Sequence, residues 1–450
     1  MNAKSRYSPA IPVSLSLVAG AALAVALPPR GVWMLGWIAF LPLLAAARIT
    51  RPIIAAGCGL ITGITCACVF AGQLLNGAQL VNLGGAFGAF AVVLAFAAGL
   101  ASAGARRLSV SVWAVFVACA GVSAELLSVY VFPVNVALSQ HQNAFALWLA
   151  AYTGIWGVSF LIWLVPGSLI AVISEPKRGW ALFAVGAAAA LAGLFVEFPE
   201  DLGSSVLHVA AVQAPDPCSA AEETGRIAHR ADIVVWPEHL MHRNLTLARE
   251  TASKNKVYLV ASFVGHGGGK KLFNSACIIG PDGSTAATSR KQHLFGSEAF
   301  EYTTGQDSNP ARCRGFSPGV PICFDTMFTD VTRGLVRRGA DILLVPNHDP
   351  MMPRYVFHHL HSAAIPFRAA ENGVPIVWSE CSGLSAIYDR HGRRTECAPE
   401  GQVTSVRAWV VLRSGKTLFT RAGEYFAYAC AFAVVVTAGV LIRRRKSLPC

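Results

Sequence analysis

The first 197 residues contain only three acidic side chains, Glu125, Glu175 and Glu197. Charged residues make up about a quarter of an ordinary soluble domain, so this stretch does not read as one. It divides into seven apolar runs at 11–29, 32–48, 53–72, 79–103, 110–133, 145–173 and 179–197. Each is close to the roughly 20 residues that an α-helix needs to cross about 30 Å of hydrocarbon. Lipid offers no hydrogen bonds to the backbone, and helices satisfy theirs internally. The first run also has the length of a signal peptide, but no convincing cleavage site follows it and further runs do. Residues 1–200 are therefore expected to form a transmembrane domain of about seven helices.

Basic residues orient these spans. Lys4 and Arg6 precede the first run, Arg48 and Arg51 separate the second and third, Arg106 and Arg107 the fourth and fifth, and Lys177 and Arg178 the sixth and seventh. The alternate connections carry almost none, Arg30 excepted. By the positive-inside rule the N-terminus is cytoplasmic, and seven spans would put residue 198 onward on the far side. An eighth run, Tyr425 to Ile442, ends in Arg443-Arg444-Arg445-Lys446 and would bring the chain back. This clustering accounts for much of the net charge of +12, so nucleic acid is not an expected partner. Glu125 falls inside the fifth run, either as a functional carboxylate or as a hydrated residue near the outer interface.

After residue 198 the composition becomes that of a soluble domain. Apolar runs at 209–213, 232–236, 257–264, 341–346 and 374–378 read as strands, with helices at 220–230, 327–339 and 355–372. Gly265-His266-Gly267-Gly268-Gly269 lacks the Lys-Ser/Thr of a phosphate loop and reads as a hairpin tip. Strands and helices alternate with hairpins, which predicts a mixed sheet in an α-β-β-α sandwich over 205–410. Residues 411–450 would hold the last helix and a basic cytoplasmic tail. The twelve cysteines show no metal-ligand spacing and no strong disulfide framework, so no metal or cofactor is expected.

Three stretches end at residues able to do chemistry. Val234-Val235-Trp236-Pro237 leads to Glu238, Ser289-Arg290 to Lys291, and Gly319-Val320-Pro321-Ile322 to Cys323. The last reads as a buried strand presenting a thiol at its C-terminal end. A free thiol has a pKa near 8.5 and needs a base or a nearby cation to become a nucleophile. Glutamate, lysine and cysteine in this order resemble the Glu-Lys-Cys triad of the nitrilase (carbon–nitrogen hydrolase) superfamily.

Within that superfamily the chain resembles the apolipoprotein N-acyltransferase family over nearly its whole length. The resemblance rests on Leu27-Pro28-Pro29-Arg30-Gly31-Val32-Trp33, on Leu41-Pro42-Leu43-Leu44, and on Phe132-Pro133 with Ser139-Gln140. It continues through Asn347, Asp349, His359, Arg368, Ala369, Glu371, Asn372 and Gly373 to Ser382-Gly383-Leu384-Ser385-Ala386 and Lys416 to Glu424. It implies Cys323 as nucleophile, Glu238 as general base, Lys291 as stabiliser of the oxyanion, Glu298 as a second essential glutamate, and Asp325 in place of a family glutamate. It also implies a bacterial inner-membrane protein, expected as a monomer, with its catalytic domain facing the periplasm. A phospholipid would donate the acyl chain and a lipoprotein or other amine would accept it.

The chain also departs from the family. Lys291 and Cys323 are 32 residues apart, nearer to soluble nitrilases than to the acyltransferases. The stretch after the lysine is one residue short, and the family's Asn-Asp-x-Trp-Phe becomes Asn347-His348-Asp349-Pro350-Met351. A membrane-anchored amidase or nitrilase is therefore the second expectation. A conjugal-transfer factor that kept the fold, like the plasmid-encoded TraB-type relatives, is the third.

Overall fold

The structure is a computed structural model that describes residues 8–71, 77–129, 132–192, 205–241, 244–269, 271–306, 309–349, 357–412 and 416–446. Lys4, Arg6, Met351 and the end of the seventh apolar run lie outside them. The chain divides into two compact units, residues 1–196 with 424–450, and residues 197–423.

The first unit is helical. Its elements are α1 (Ala10–Ala26), α2 (Trp33–Gly36), α3 (Leu41–Ile49), α4 (Pro52–Ala71), α5 (Gly77–Ala105), α6 (Val110–Ser128), α7 (Ala144–Thr153), α8 (Ile155–Ser174) and α9 (Pro176–Ala192). The last helix of the chain, Tyr425–Lys446, belongs to it too. Among the described residues, five helices have the length and composition to cross a membrane: α4, α5, α6, α8 and the C-terminal helix.

Two of the seven expected runs are broken helices. The run at 32–48 is a four-residue α2, a turn, and then α3, whose first turn contains Pro42. Proline lacks the N–H that would continue a helix from above and favours a new start. The run at 145–173 is divided by Gly154 at φ 67°, which ends α7 and precedes α8. Apolar content alone does not register such breaks.

Small residues let these helices approach. A Cβ on Gly59 would lie 2.3 Å from the Leu94 carbonyl oxygen, and one on Gly63 2.4 Å from Ala91 Cα. This is the close backbone contact that replaces the hydrophobic drive between helices in lipid.

Glu125 is buried and fully engaged. It accepts hydrogen bonds from Trp163 Nε1 (2.8 Å), Ser159 Oγ (2.9 Å) and the Val136 N–H (3.3 Å). Trp163 stacks on Phe40, with ring centroids 3.8 Å apart. Glu125 thus joins α6, α8 and the short 3₁₀ turn Val136–Gln140, and the hydrated-interface reading does not hold.

The second unit is an α-β-β-α sandwich. It contains β1 (Ser205–Gln213), α10 (Pro217–Ile227), β2 (Ile233–Val235), α11 (Thr246–Asn255), β3 (Tyr258–His266), β4 (Leu272–Ile279), β5 (Thr285–Arg290) and α12 (Glu298–Glu301). These are followed by β6 (Pro318–Gly319), α13 (Thr329–Arg337), β7 (Ile342–Pro346), α14 (Phe357–Asn372), β8 (Ile376–Ser379), β9 (Ala386–Tyr388), β10 (Arg394–Cys397), β11 (Thr404–Leu412) and α15 (Leu418–Ala422). One sheet runs β11-β1-β2-β3-β4-β5 and the other β10-β9-β8-β7-β6. The helix that closes the chain is α16 (Tyr425–Lys446).

Each sheet is covered on both faces, which is why strands such as Ile342-Leu343-Leu344-Val345 are continuously apolar. On the outer face of the first sheet Ala210, Val212, Val234 and Trp236 pack with Ala220 of α10 and Ala248 and Ala252 of α11. On the second, Leu343, Val345, Ile376 and Trp378 pack with Val331 and Leu335 of α13 and Ile365 and Ala369 of α14. Between the sheets, Ser379 Oγ donates to the Val212 carbonyl (2.6 Å) and the Ser385 N–H to Gln213 Oε1 (2.9 Å).

Candidate active site

The site gathers at the C-terminal ends of β2 and β7 and at the end of β5. Glu238 follows β2 after Trp236-Pro237, and its N–H donates to the Asn347 carbonyl at the end of β7 (3.1 Å). Lys291 follows β5, and its N–H donates to the Asn274 carbonyl of β4 (2.8 Å). That pairing sets Lys291 beside Asn274.

Both catalytic candidates are 1% exposed, and the Lys291 ammonium lies 3.0 Å from Glu238 Oε1 and 2.9 Å from Glu298 Oε2. Asn274 Nδ2 donates to the same two carboxylates, at 2.7 Å to Glu238 and 2.9 Å to Glu298. The Phe295 N–H closes on Glu298 at 2.8 Å. Two carboxylates are thus held by one cation and one amide.

The electrostatics follow from burial and these pairings. Burial opposes the charge on Lys291, but Cys323 when ionised and the Glu238 and Glu298 carboxylates outweigh it and hold the ammonium well above its usual range. Burial also opposes Glu298, yet His239, Lys291 and the Phe295 N–H bring its pKa down to about 2. Burial and the Glu238 carboxylate push the Cys323 thiol well up, with Lys291 acting the other way. The resting site is therefore a neutral thiol beside a fixed ion pair.

Cys323 does not end a long strand. β6 pairs only at Pro318 and Gly319, extended chain follows, and Cys323 opens the 3₁₀ turn Cys323–Met327 at φ 48°. A left-handed conformation at a non-glycine residue is costly and persists only where the surroundings enforce it. Here Asp325 enforces it. Its Oδ2 accepts the Ile322 N–H (3.0 Å), and its Oδ1 accepts the Gln292 (3.0 Å) and His293 (2.8 Å) N–H groups. One buried carboxylate thus ties the turn of Cys323 to the loop after Lys291. Burial raises its pKa to about 6, against the pull of those N–H donors.

A second support comes from α14. His361 Nε2 lies 3.2 Å from the Cys323 carbonyl and 2.9 Å from Thr326 Oγ1, while its Nδ1 lies 2.7 Å from Asp349 Oδ2. Asn347 Nδ2 bridges Asp349 (3.0 Å) and the buried Glu380. Burial and the charge of Asp349 push Glu380 well above the carboxylate range, whereas His361 overcomes burial to lower Asp349. Two neighbouring carboxyls are thereby kept in different protonation states.

His359, which belongs to the family pattern in the sequence, packs against His358, with ring centroids 3.7 Å apart, and His361 is the histidine at Cys323. Arg368 and Glu371, also in the family pattern, pair with each other within α14 at 2.9 Å.

Asn274, His239, His361 and Glu380 were not singled out as site residues from the sequence. Asn274 carried a faint signal, a polar residue near the start of the largely apolar strand Leu272–Ile279. Side chains of metal-ligand type also converge. Cys323, Asp349 and His361 present ligand atoms within 4.8 Å of one another, as do Glu238, His239 and Glu298. In the first group both His361 nitrogens are already engaged, and in the second the Lys291 ammonium supplies the positive charge.

A buried thiol, a lysine and two glutamates at the strand ends of an α-β-β-α sandwich define a carbon–nitrogen hydrolase-type domain, and the carbon–nitrogen hydrolase family model matches residues 218–409. The model of the apolipoprotein N-acyltransferase N-terminal domain matches residues 19–168. The chain belongs to the apolipoprotein N-acyltransferase family.

It is 27% identical to the apolipoprotein N-acyltransferase of Geobacter metallireducens, over 96% of this chain and 95% of that protein. To the enzyme of the same name from Shewanella oneidensis it is 24% identical, over 61% and 63%. A nitrilase from Pyrococcus abyssi is 32% identical over 36% of this chain and 58% of its own. Among solved structures, a carbon–nitrogen hydrolase from Helicobacter pylori superposes with a TM-score of 0.41 at 18% identity, covering 49% of this chain and 94% of its own.

Proposed function

We propose that this chain is a membrane N-acyltransferase that moves an acyl chain from a phospholipid, through a thioester on Cys323, to the N-terminal amine of a lipoprotein. The observation that carries the reading is one chain combining the buried thiol–lysine–carboxylate centre with a helical part that matches the acyltransferase N-terminal domain.

Cys323 attacks the ester carbonyl as Glu238 takes the thiol proton. Negative charge develops on the carbonyl oxygen, and Lys291, kept charged by Glu298, stabilises it. A well-placed oxyanion donor lowers such a barrier by about 3 kcal/mol. The C–O bond breaks, the proton passes from Glu238 to the departing lysophospholipid, and the thioester remains. The acceptor amine then attacks the thioester and sulfur leaves. A thiol buried at rest keeps water from the thioester before the amine arrives. The setting we propose is the bacterial inner membrane, with the catalytic unit on the periplasmic side and the chain acting as a monomer.

Mass spectrometry of purified protein incubated with phospholipid tests this. The wild type should gain one long-chain acyl group on Cys323, Cys323→Ala none, and a diacylated lipopeptide should discharge the adduct. Turnover of small amides with no acyl adduct would replace the proposal by membrane-anchored hydrolysis. An adduct that forms equally on Cys323→Ala would refute the mechanism.

A further inference from the structure

His239 is not required by the mechanism above, yet it touches both of its carboxylates. It follows Glu238 directly and adopts φ 64°, a conformation that few non-glycine residues hold without cause. Its Nε2 lies 3.6 Å from Glu238 Oε1 and 3.5 Å from Glu298 Oε1. The ring of His348 meets it edge-on at 5.6 Å. The side chain is 36% exposed, whereas Glu238 and Lys291 are 1% exposed. His239 therefore spans the boundary between the sealed centre and solvent.

Proton balance gives such a group a task. In the first half-reaction the thiol proton passes through Glu238 to the leaving alkoxide, and nothing is left over. In the second the acceptor is an α-amine, whose pKa of about 7.7–8.0 makes it mostly an ammonium at neutral pH. The C–N bond forms, the C–S bond breaks, and the nitrogen loses two protons on its way to the amide. One proton restores the Cys323 thiol. The other is surplus and must leave the site whenever the amine enters as an ammonium.

The neighbours of His239 cannot carry it. Lys291 holds its own proton too tightly, and Glu298, at about 2, is too acidic to keep one. Glu238 must return its proton to sulfur. His348 has its pKa lowered, first by burial and in part by His239 itself, so it does not compete for the charge.

We propose that His239 is the proton outlet of the second half-reaction, taking the surplus proton from Glu238 and passing it to water. This rests on the acyltransfer reading. His239 acts through Glu238 and not on the substrate, so it is a positioning and relay residue. Its protonation supports the role. Burial disfavours the imidazolium, but Glu238 and a hydrogen bond to Glu298 outweigh burial, and Lys291 opposes them only in part. The net effect raises its pKa above the ordinary histidine value of 6.5.

The test separates the two half-reactions in full-length protein in phospholipid-containing detergent micelles. Acyl-enzyme is formed first, and its discharge by a diacylated lipopeptide is followed by mass spectrometry from pH 6 to 9. His239→Gln should lose discharge far more than loading, with the ratio of the two rates falling on the order of 10²-fold at pH 7, as for a lost acid–base group. The deficit should shrink toward pH 9, where the amine arrives unprotonated. In His239→Ala, added imidazole should restore discharge in proportion to its concentration.

Equal loss of loading and discharge, a deficit that does not change with pH, or variants that imidazole cannot rescue would overturn the relay and leave His239 a structural role. Wild-type discharge rates in both variants would overturn it alone. Failure of the wild type to load at all would remove the acyltransfer reading and this proposal with it.

Discussion

Asp325 offers the sharpest test of how the site is assembled. Replacing it with alanine leaves three N–H groups, those of Gln292, His293 and Ile322, without their acceptor. A buried donor left unpaired costs about 1–3 kcal/mol, so the gross loss is on the order of 6 kcal/mol. The carboxylate has its own cost. Its folded pKa is about 6, against about 3.9 for a free aspartate. The folded chain therefore binds this proton more tightly than the unfolded chain, and stability falls as pH rises from about 4 to about 6. By pH 7 that window has removed about 3 kcal/mol, which neither variant loses.

The expected net effect of Asp325→Ala at pH 7 is then about 3 kcal/mol, or roughly 6–12 °C in Tm for a unit of this size. The deficit should be larger at pH 4.5. Asp325→Asn keeps one oxygen for Gln292 and His293 but points an amide N–H at Ile322. It loses one acceptor, about 2 kcal/mol, and should melt within a few degrees of the wild type at pH 7. The assay is thermal unfolding in detergent at pH 4.5 and pH 7, paired with the rate at which iodoacetamide alkylates Cys323. Equal behaviour of the alanine and asparagine variants, or a wild-type pH dependence in either, would refute this reasoning.

Three further outcomes are expected. Lys291→Arg should be nearly as damaging as Lys291→Ala in acyl-enzyme formation, because a planar, forked guanidinium cannot replace one ammonium seated 3.0 and 2.9 Å from two carboxylates; near-normal loading in the arginine variant would mean that Lys291 supplies only diffuse positive potential. Asn274→Ala removes a donor shared by Glu238 and Glu298 and should slow loading on the order of 10²-fold, two charge-assisted hydrogen bonds being worth about 3 kcal/mol or more together; a loss of less than threefold would show that Lys291 alone holds the pair. A reporter fused after residue 200 should be active outside the cytoplasm and one fused after residue 446 inside, and a cytoplasmic signal from the first would remove both the orientation and the proposed reaction setting.

Sequence alone decided what local physics decides. A stretch of 197 residues with three acids does not have the composition of a soluble domain. Strands covered on both faces announce themselves as continuous apolar runs, and Glu238 stands just beyond where one such run stops. Cys323 was legible too, but as the end of a strand, because apolar residues at 319–322 read alike whether they pair in a sheet or merely extend. β5, β10 and β11 were missed because their residues are largely polar and are held by pairing with distant strands.

What surrounds the three residues was decided only by the tertiary structure. Asn274 enters because the β4–β5 register sets it beside Lys291. Asp325 reaches back 33 residues to accept the Gln292 N–H. His361, and not His359, meets Cys323 because two residues along a helix change the side it faces by about 200°. His239 was passed over because nothing in a neighbouring pair of letters tells that a left-handed backbone turns the second side chain over the first. Each of these depends on contacts between residues far apart in the chain or on one backbone angle, and a linear pattern carries neither.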